Sequence, residues 1–111
     1  MMTLDFDSQQ TANQNPQGAA VHLVRKWPSP AWLQVWINST STLILSEQAL
    51  QELAAQPQLI DALPVLPYAL HAEIVLLDLQ EHLPASLIQL GDARWVELTL
   101  DAERYMVWDN V

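Results

Sequence analysis

The sequence contains no cysteine, only two glycines and only four basic residues. Without a thiol, its 111 residues can form no disulfide, no thiolate metal site and no cysteine nucleophile. A phosphate-binding loop needs glycines so that backbone amides can approach the phosphate, and Gly18 and Gly91 cannot supply such a loop. The longest aliphatic run, residues 74–77, is far below the roughly 20 residues that span a bilayer. We therefore expect neither a nucleotide-binding loop nor a membrane-spanning helix.

Acidic residues dominate the charge. Thirteen acids against four bases give a net charge of -9, which is the wrong sign for binding phosphate backbones, so we expect no direct contact with nucleic acid. Asp5 and Asp7 lie near the start and no basic residue precedes Arg25, which predicts neither a secretory nor a mitochondrial leader. The cytoplasm is the expected compartment, and the absence of cysteine fits a reducing one.

The chain divides into an N-terminal tail and one domain. Residues 1–20 are rich in polar residues, contain Pro16 and show no sustained apolar period after Leu4 and Phe6. This composition predicts a flexible tail, although those two apolar residues could instead hold an extra strand or a capping segment. Residues 21–111 have the length of a single domain.

Strand and helix patterns alternate along that domain. Short β-branched or aliphatic runs predict strands at residues 21–24, 42–45, 73–77, 86–90 and 105–108. Helices are predicted after two serine caps, Ser29 and Ser46, and a helical turn within 57–67 and a helical or turn segment at 80–85 are also expected. Residues 92–102 fit either a strand or a helix capped by Asp92. The alternation predicts an α/β fold with a mainly parallel sheet of about five strands, flanked by helices.

Residues that could support catalysis are scattered. His22, His71 and His82 lack the spacing of a metalloprotease, and no serine lies in a nucleophile elbow. We expect His22 to be a hydrogen-bonded packing residue and the other two to lie in solvated loops. An enzyme that used these histidines would have to bring at least two of them into one cleft. The sequence therefore predicts no catalytic residue, no cofactor and no metal site.

Tryptophan is the unusual signal, with five tryptophans against one phenylalanine. So many indoles are difficult to bury completely in a domain of this size, and aromatic residues are enriched in the buried centres of protein interfaces. The candidates for contact with a partner are Trp32, Trp36, Trp95 and Trp108. Trp32 and Trp36 lie four residues apart on the first predicted helix, and each could instead stack into the core.

Five short motifs follow one another along residues 21–108. They are VHLVRKWP at 21–28, LILSE at 43–47, a helix at 48–55, LQEHLPAS at 79–86, and WVELT at 95–99 followed by MVW at 106–108. In this order they resemble the TusB/DsrH family of sulfur-relay proteins, the small α/β subunits of the DsrE-like fold. That family has L-H-x-V-x-K-x-P in its first strand, L-x-E-D-L-x-A-R-G after its third, and an aromatic-V-x-L-T signature near its C-terminus.

The resemblance implies a small three-layer domain in which residues 92–102 are helical. It implies a cytoplasmic subunit of a heterohexamer with TusC/DsrF-like and TusD/DsrE-like partners. Such a complex passes persulfide sulfur toward 2-thiouridine at the tRNA wobble position. In related sulfur-oxidising systems the same architecture serves dissimilatory sulfur metabolism.

The chain departs from the family at several positions. Some members carry a cysteine in the first helix, whereas residues 31–35 read AWLQV. Ser86 and Leu87 replace the Arg-Gly of the family's L-x-E-D-L-x-A-R-G motif, and His82 replaces its Asp. We therefore expect a divergent, noncatalytic subunit that organises a cysteine-bearing partner. The alternative is a free-standing homo-oligomeric module that regulates or binds a small molecule, with a pocket at the C-terminal ends of the strands.

Overall fold

The computed structural model describes residues 20–111, and within them five strands form one parallel sheet in the order β4-β3-β2-β1-β5. The strands are β1 (Ala20–Val24), β2 (Thr42–Leu45), β3 (Tyr68–Leu70), β4 (Ile88–Leu90) and β5 (Arg104–Trp108). With helices on both faces, the predicted α/β class and its mainly parallel sheet are confirmed. The predicted tail lies outside the described residues except for Ala20, which begins β1.

Four α-helices and one 3-10 helix connect the described strands. They are α1 (Pro30–Trp36), α2 (Gln48–Ala55), the 3-10 helix (Pro57–Ala62), α3 (His71–Leu76) and α4 (Asp92–Asp101). Ser29 caps α1 as predicted, because its Oγ accepts a hydrogen bond from the backbone N–H of Trp32 at 3.2 Å. Pro57 is the first residue of the 3-10 helix, and because proline has no backbone N–H, it prevents α2 from continuing into this segment.

The helices form two unequal layers. Alternate residues of β1 point to opposite faces, so Val24 lies in a core beneath α1 and α2 while Leu23 lies beneath α4. From β1 to β4 the chain crosses the sheet in one direction, and it then returns past β1 to add β5 at the other edge. The crossover that contains α4 therefore runs in the opposite direction from the others and lies on the opposite face.

The predicted strand at residues 73–77 is wrong. This run is mostly α3, in which Ile74 is buried and Val75 and Leu76 are exposed, and the third strand is Tyr68–Leu70. A short aliphatic run has the same appearance in a strand and in a helix turn, and prolines around residues 64–67 concealed the true strand.

Some caps and strand ends differ from expectation, and β5 begins at Arg104 rather than at residue 105. Ser46 does not cap α2, because its Oγ donates a hydrogen bond to Glu73 and Glu47 occupies the cap position. The fourth strand begins at Ile88 rather than at residue 86. Residues 92–101 are helical, which confirms the helix that the resemblance implied at 92–102 and excludes the strand alternative, but Gly91 rather than Asp92 is its cap residue.

Candidate interaction site

An aromatic cluster, formed by His22, Trp32, Trp36 and Trp108, joins β1, α1 and β5 on one face of the sheet. The ring centroids of Trp36 and Trp108 lie 4.9 Å apart, and those of Trp32 and Trp108 lie 5.2 Å apart at 80°. These are the tilted and edge-to-face arrangements that aromatic rings favour. The cluster thus fixes the carboxyl end of the edge strand β5 to α1.

His22 is the polar centre of the aromatic cluster. Its Nδ1 accepts a hydrogen bond from Nε1 of Trp108 at 3.1 Å, so that nitrogen carries no proton. Burial lowers the pKa of the imidazole below its ordinary value, and the positive charge of Arg104 lowers it further. His22 is therefore a neutral, hydrogen-bonded packing residue, which confirms the expectation from the sequence.

The structure separates the four candidate interface tryptophans. Trp32 is 7% exposed and packs into the core, whereas Trp36 is 39% exposed on the same helix. Trp108 is half-buried beside them. Trp95 lies on the opposite face, where its ring meets Tyr105 at 5.6 Å. Only Trp32, Trp36 and Trp108 of the four are thus brought together, and Trp36 presents the most surface.

Four further exposed apolar residues lie on α4 and β5, and sequence reasoning missed them. They are Val96 and Leu100, one turn apart on α4, and Tyr105 and Val107, two residues apart on β5 and therefore on the same face of the sheet. We call these four residues the α4–β5 strip. Leu100 is 77% exposed and Val107 is 44% exposed. The signal was present in the sequence, because Val96 and Leu100 fall outside the inward set of Trp95, Leu98 and Ala102. Exposed apolar patches, where such residues are contiguous, mark contacts with other macromolecules.

Polar groups fill the carboxyl end of the sheet at its topological switch point, between β1 and β5. Arg25 follows β1, and its Nη1 donates a hydrogen bond to Asp109 after β5 at 3.1 Å. Its Nε lies 3.1 Å from Glu47 after β2, an ion pair without hydrogen-bond alignment. Open parallel sheets commonly bind ligands at this position. Here Arg25 and the two carboxylates occupy it, and Nε of Arg25 has no hydrogen-bond partner.

Glu73 holds the neighbouring corner between β2 and α2. Its Oε2 accepts hydrogen bonds from the Ser46 hydroxyl at 3.0 Å and from the backbone N–H of Glu47 at 2.8 Å. Glu47 has a φ of 49°, a conformation that costs a non-glycine residue about 1–3 kcal/mol and persists only where neighbours impose it. The two hydrogen bonds to Glu73 supply that constraint.

An apolar groove of about 570 Å³ runs between α1 and the 3-10 helix. Its walls include Trp27, Leu33, Ile37, Leu59 and Leu63. The groove begins just beyond the carboxyl end of β1 and extends along α1, rather than across the strand ends as the free-standing module predicts. Its chemistry suits an apolar ligand.

The three histidines occupy three different environments. His22 lies in the aromatic cluster, His71 contacts the side chain of Gln89 at 2.8 Å, and His82 lines a small recess with acidic residues.

Within residues 20–111, no three histidine or acidic side chains are placed to hold a metal ion. In the same part of the chain, no helix has the length and hydrophobicity needed to cross a membrane. The chain matches neither a family model nor a curated protein in comparisons with known proteins.

Proposed function

We propose that this chain is a noncatalytic subunit of a cytoplasmic sulfur-relay complex resembling TusBCD/DsrEFH, which supports 2-thiolation of the tRNA wobble uridine. In this role it binds TusC/DsrF-like and TusD/DsrE-like subunits in a heterohexamer and takes no sulfur itself. The α4–β5 strip is the observation that carries the proposal, because it gives the chain a surface suited to a protein partner.

The absence of a thiol defines the division of labour. A relay passes sulfur as a persulfide on cysteine, and these 111 residues contain none. The reactive cysteine must therefore belong to a partner. With a net charge of -9 the chain is also poorly suited to hold tRNA, so contact with the RNA falls to other subunits.

The positions of the motifs give unequal support. VHLV and LIL lie in β1 and β2, and the C-terminal signature lies in α4 and β5, as the resemblance implies. The motif at residues 79–86 gives no support, because it lies in turns after α3 rather than after a strand. The third strand is followed directly by α3.

Co-expression with tagged TusC-like and TusD-like subunits tests the proposal, with two leucine variants as a matched pair. Leu100 lies on α4 and is 77% exposed, while Leu76 lies on α3 and is 81% exposed. We expect Leu100→Glu to weaken the complex by about tenfold or more, since it places a charge in the apolar contact. Leu76→Glu should change the affinity by less than about twofold. Both variants should unfold within about 0.5 kcal/mol of the wild type, because both side chains are largely solvated.

Two results would contradict this account. One is failure of the wild-type chain to bind any cysteine-bearing DsrE-like subunit. The other is an equal loss of binding from both leucine variants, which would remove the α4–β5 strip from the interface.

The groove between α1 and the 3-10 helix favours a second function, that of a free-standing homo-oligomeric module that binds an apolar small molecule. Its volume of about 570 Å³ falls within the range of ligand sites. Leu63→Trp would fill the groove and abolish ligand binding while sparing the α4–β5 strip. An apolar ligand bound by a wild-type chain that forms no sulfur-relay complex would favour the second function, and a complex that Leu63→Trp retains would favour the first.

A further inference from the structure

The two edges of the sheet differ in ways that matter for association. β4 is three residues long, and its Gln89 side chain is held by His71. β5 is five residues long, contains neither lysine nor proline, and has no neighbour on its outer side among residues 20–111. Natural edge strands are commonly protected by shortness, lysine or proline. β5 is longer and has neither lysine nor proline, and its only charged side chain, Arg104, is at its first residue.

The hydrogen bonds of β5 show which backbone groups face outward. The carbonyl of Trp108 accepts from the N–H of Arg25, so the peptide groups of Trp108 and, by alternation, of Met106 and Arg104 face β1. The N–H and C=O groups of Tyr105 and Val107 consequently point away from the sheet. The two N–H and two C=O groups of these residues can therefore form hydrogen bonds with an added antiparallel strand.

We propose that two copies of this chain associate by antiparallel pairing of β5 about a two-fold axis at Met106, which joins their sheets into one. Tyr105 then pairs with the partner's Val107 in hydrogen-bonded positions, and the symmetry repeats the pair. Met106 faces its own copy in a non-hydrogen-bonded position, where side chains approach most closely. A closed, isologous dimer results.

In this register, the side chains of β5 in one copy are complementary to those of β5 in the other. Arg104, which has no ion pair among the described residues, comes opposite the partner's Trp108, an arrangement suited to a cation–π contact. Tyr105 opposite Val107 is an aromatic and β-branched pair of the kind that stabilises sheets. Glu103 approaches the partner's Asp109, but Arg25 already pairs with that carboxylate in each copy, which reduces the repulsion.

This pairing uses the edge of β5 and leaves the side chains of the α4–β5 strip accessible on one face. It joins the strips of the two copies into a larger surface. The inference therefore stands on the backbone geometry of β5 and does not depend on the sulfur-relay proposal, which concerns the face.

Sedimentation equilibrium of the full chain alone tests the dimer, with two valine variants as a matched pair. Val107 and Val96 are 44% and 50% exposed and both belong to the α4–β5 strip, but only Val107 lies on the edge strand. We expect the wild type to form a dimer of twice its monomer mass of 12.5 kDa. Val107→Lys should weaken dimerisation by about tenfold or more, and Val96→Lys by less than about twofold. A wild type that stays monomeric up to about 0.1 mM, or equal effects of the two variants, would overturn the proposal.

A crosslink tests the register, because the chain has no native cysteine. With oxidised glutathione as oxidant, Met106→Cys should form a disulfide-linked dimer, since the two-fold axis places the two thiols opposite each other. Arg104→Cys is the control, because its thiol faces an indole in the same register. Equal crosslinking of the two variants would contradict pairing about Met106.

Discussion

Helices cover the two faces of the sheet to different extents. Beneath α1, α2 and α3, a cluster of thirteen buried residues joins strands, helices and the 3-10 helix. Beneath α4, only four residues of the corresponding cluster are buried, and none of them belongs to α4 itself. The first face resembles a finished protein core, while the second has the half-covered character of a surface that another molecule completes.

This difference separates folding from association. Apolar contacts that hold the chain together lie mostly on the first face, whose helices also expose Val35 and Leu76, and the exposed α4–β5 strip lies on the second. We therefore expect substitutions on the first face to change stability, and substitutions on the exposed part of the second to change binding.

The largest effect is expected from Leu50→Ala in α2. Leu50 is fully buried in the larger core, so its loss should lower the free energy of unfolding by about 3 kcal/mol through lost burial and a cavity. Leu98→Ala, the same substitution beneath α4, should cost about 1 kcal/mol because that side chain is only half-buried. Urea denaturation of both variants makes the comparison. Equal losses would refute the inequality of the two faces.

Glu73→Ala should have the next largest effect. It removes the carboxylate that accepts two hydrogen bonds and constrains Glu47, and we expect a loss of about 2 kcal/mol in unfolding free energy. Glu52→Ala is the control, because Glu52 is an exposed acid of α2 without a hydrogen bond or ion pair from its side chain among the described residues. If the two variants unfolded at the same urea concentration, the constraint on Glu47 would have to come from elsewhere.

A smaller effect should link His22 and Trp108. A double-mutant cycle with His22→Leu and Trp108→Phe should give a coupling energy of about 1 kcal/mol, since each single change leaves the other polar group unpaired. The cycle is measured by urea denaturation near neutral pH. Additive effects of the two changes would show that the hydrogen bond contributes nothing to the attachment of β5.

Acid should weaken the same attachment. The pKa of His22 in the folded chain is lowered from 6.5, mainly by burial. Between pH 6.5 and this lowered pKa, His22 therefore binds a proton in the unfolded chain but not in the folded chain. The free energy of unfolding therefore falls as the pH falls from about 6.5 to the lowered pKa, and this contribution then levels off. Urea midpoints between about pH 7.5 and 5 measure the trend. His22→Gln should show a shallower decline than the wild type; an identical decline would assign it to other groups.

Much of the architecture could be predicted from local patterns. The cap at Ser29, the strands β1 and β2 and the alternation of elements follow from residue types and their spacing. The third strand could not be found in the same way. Tyr68–Leu70 is short and follows a proline-rich segment, while the more strand-like run that follows is helical, with Ile74 buried, Leu77 partly buried and Val75 and Leu76 exposed. That choice depends on tertiary packing.

The candidate site was predicted less completely. The abundance of tryptophan drew attention to aromatic residues, but counting indoles could not tell Trp32, buried in the core, from Trp36 at the surface. The pairing of Ser46 with Glu73 spans 27 residues and leaves no local signal. The exposure of Leu100 depends on the rotation of α4 over the sheet, which is set by contacts with distant strands.

Hydrogen–deuterium exchange of the chain alone and within the co-expressed complex tests the central claim most directly. If a partner completes the α4 face, amides of α4 and β5 should gain protection in the complex beyond that seen in the isolated chain, while those of α2 and α3 should be unchanged. Gained protection confined to α1, α2 or α3 would contradict the account.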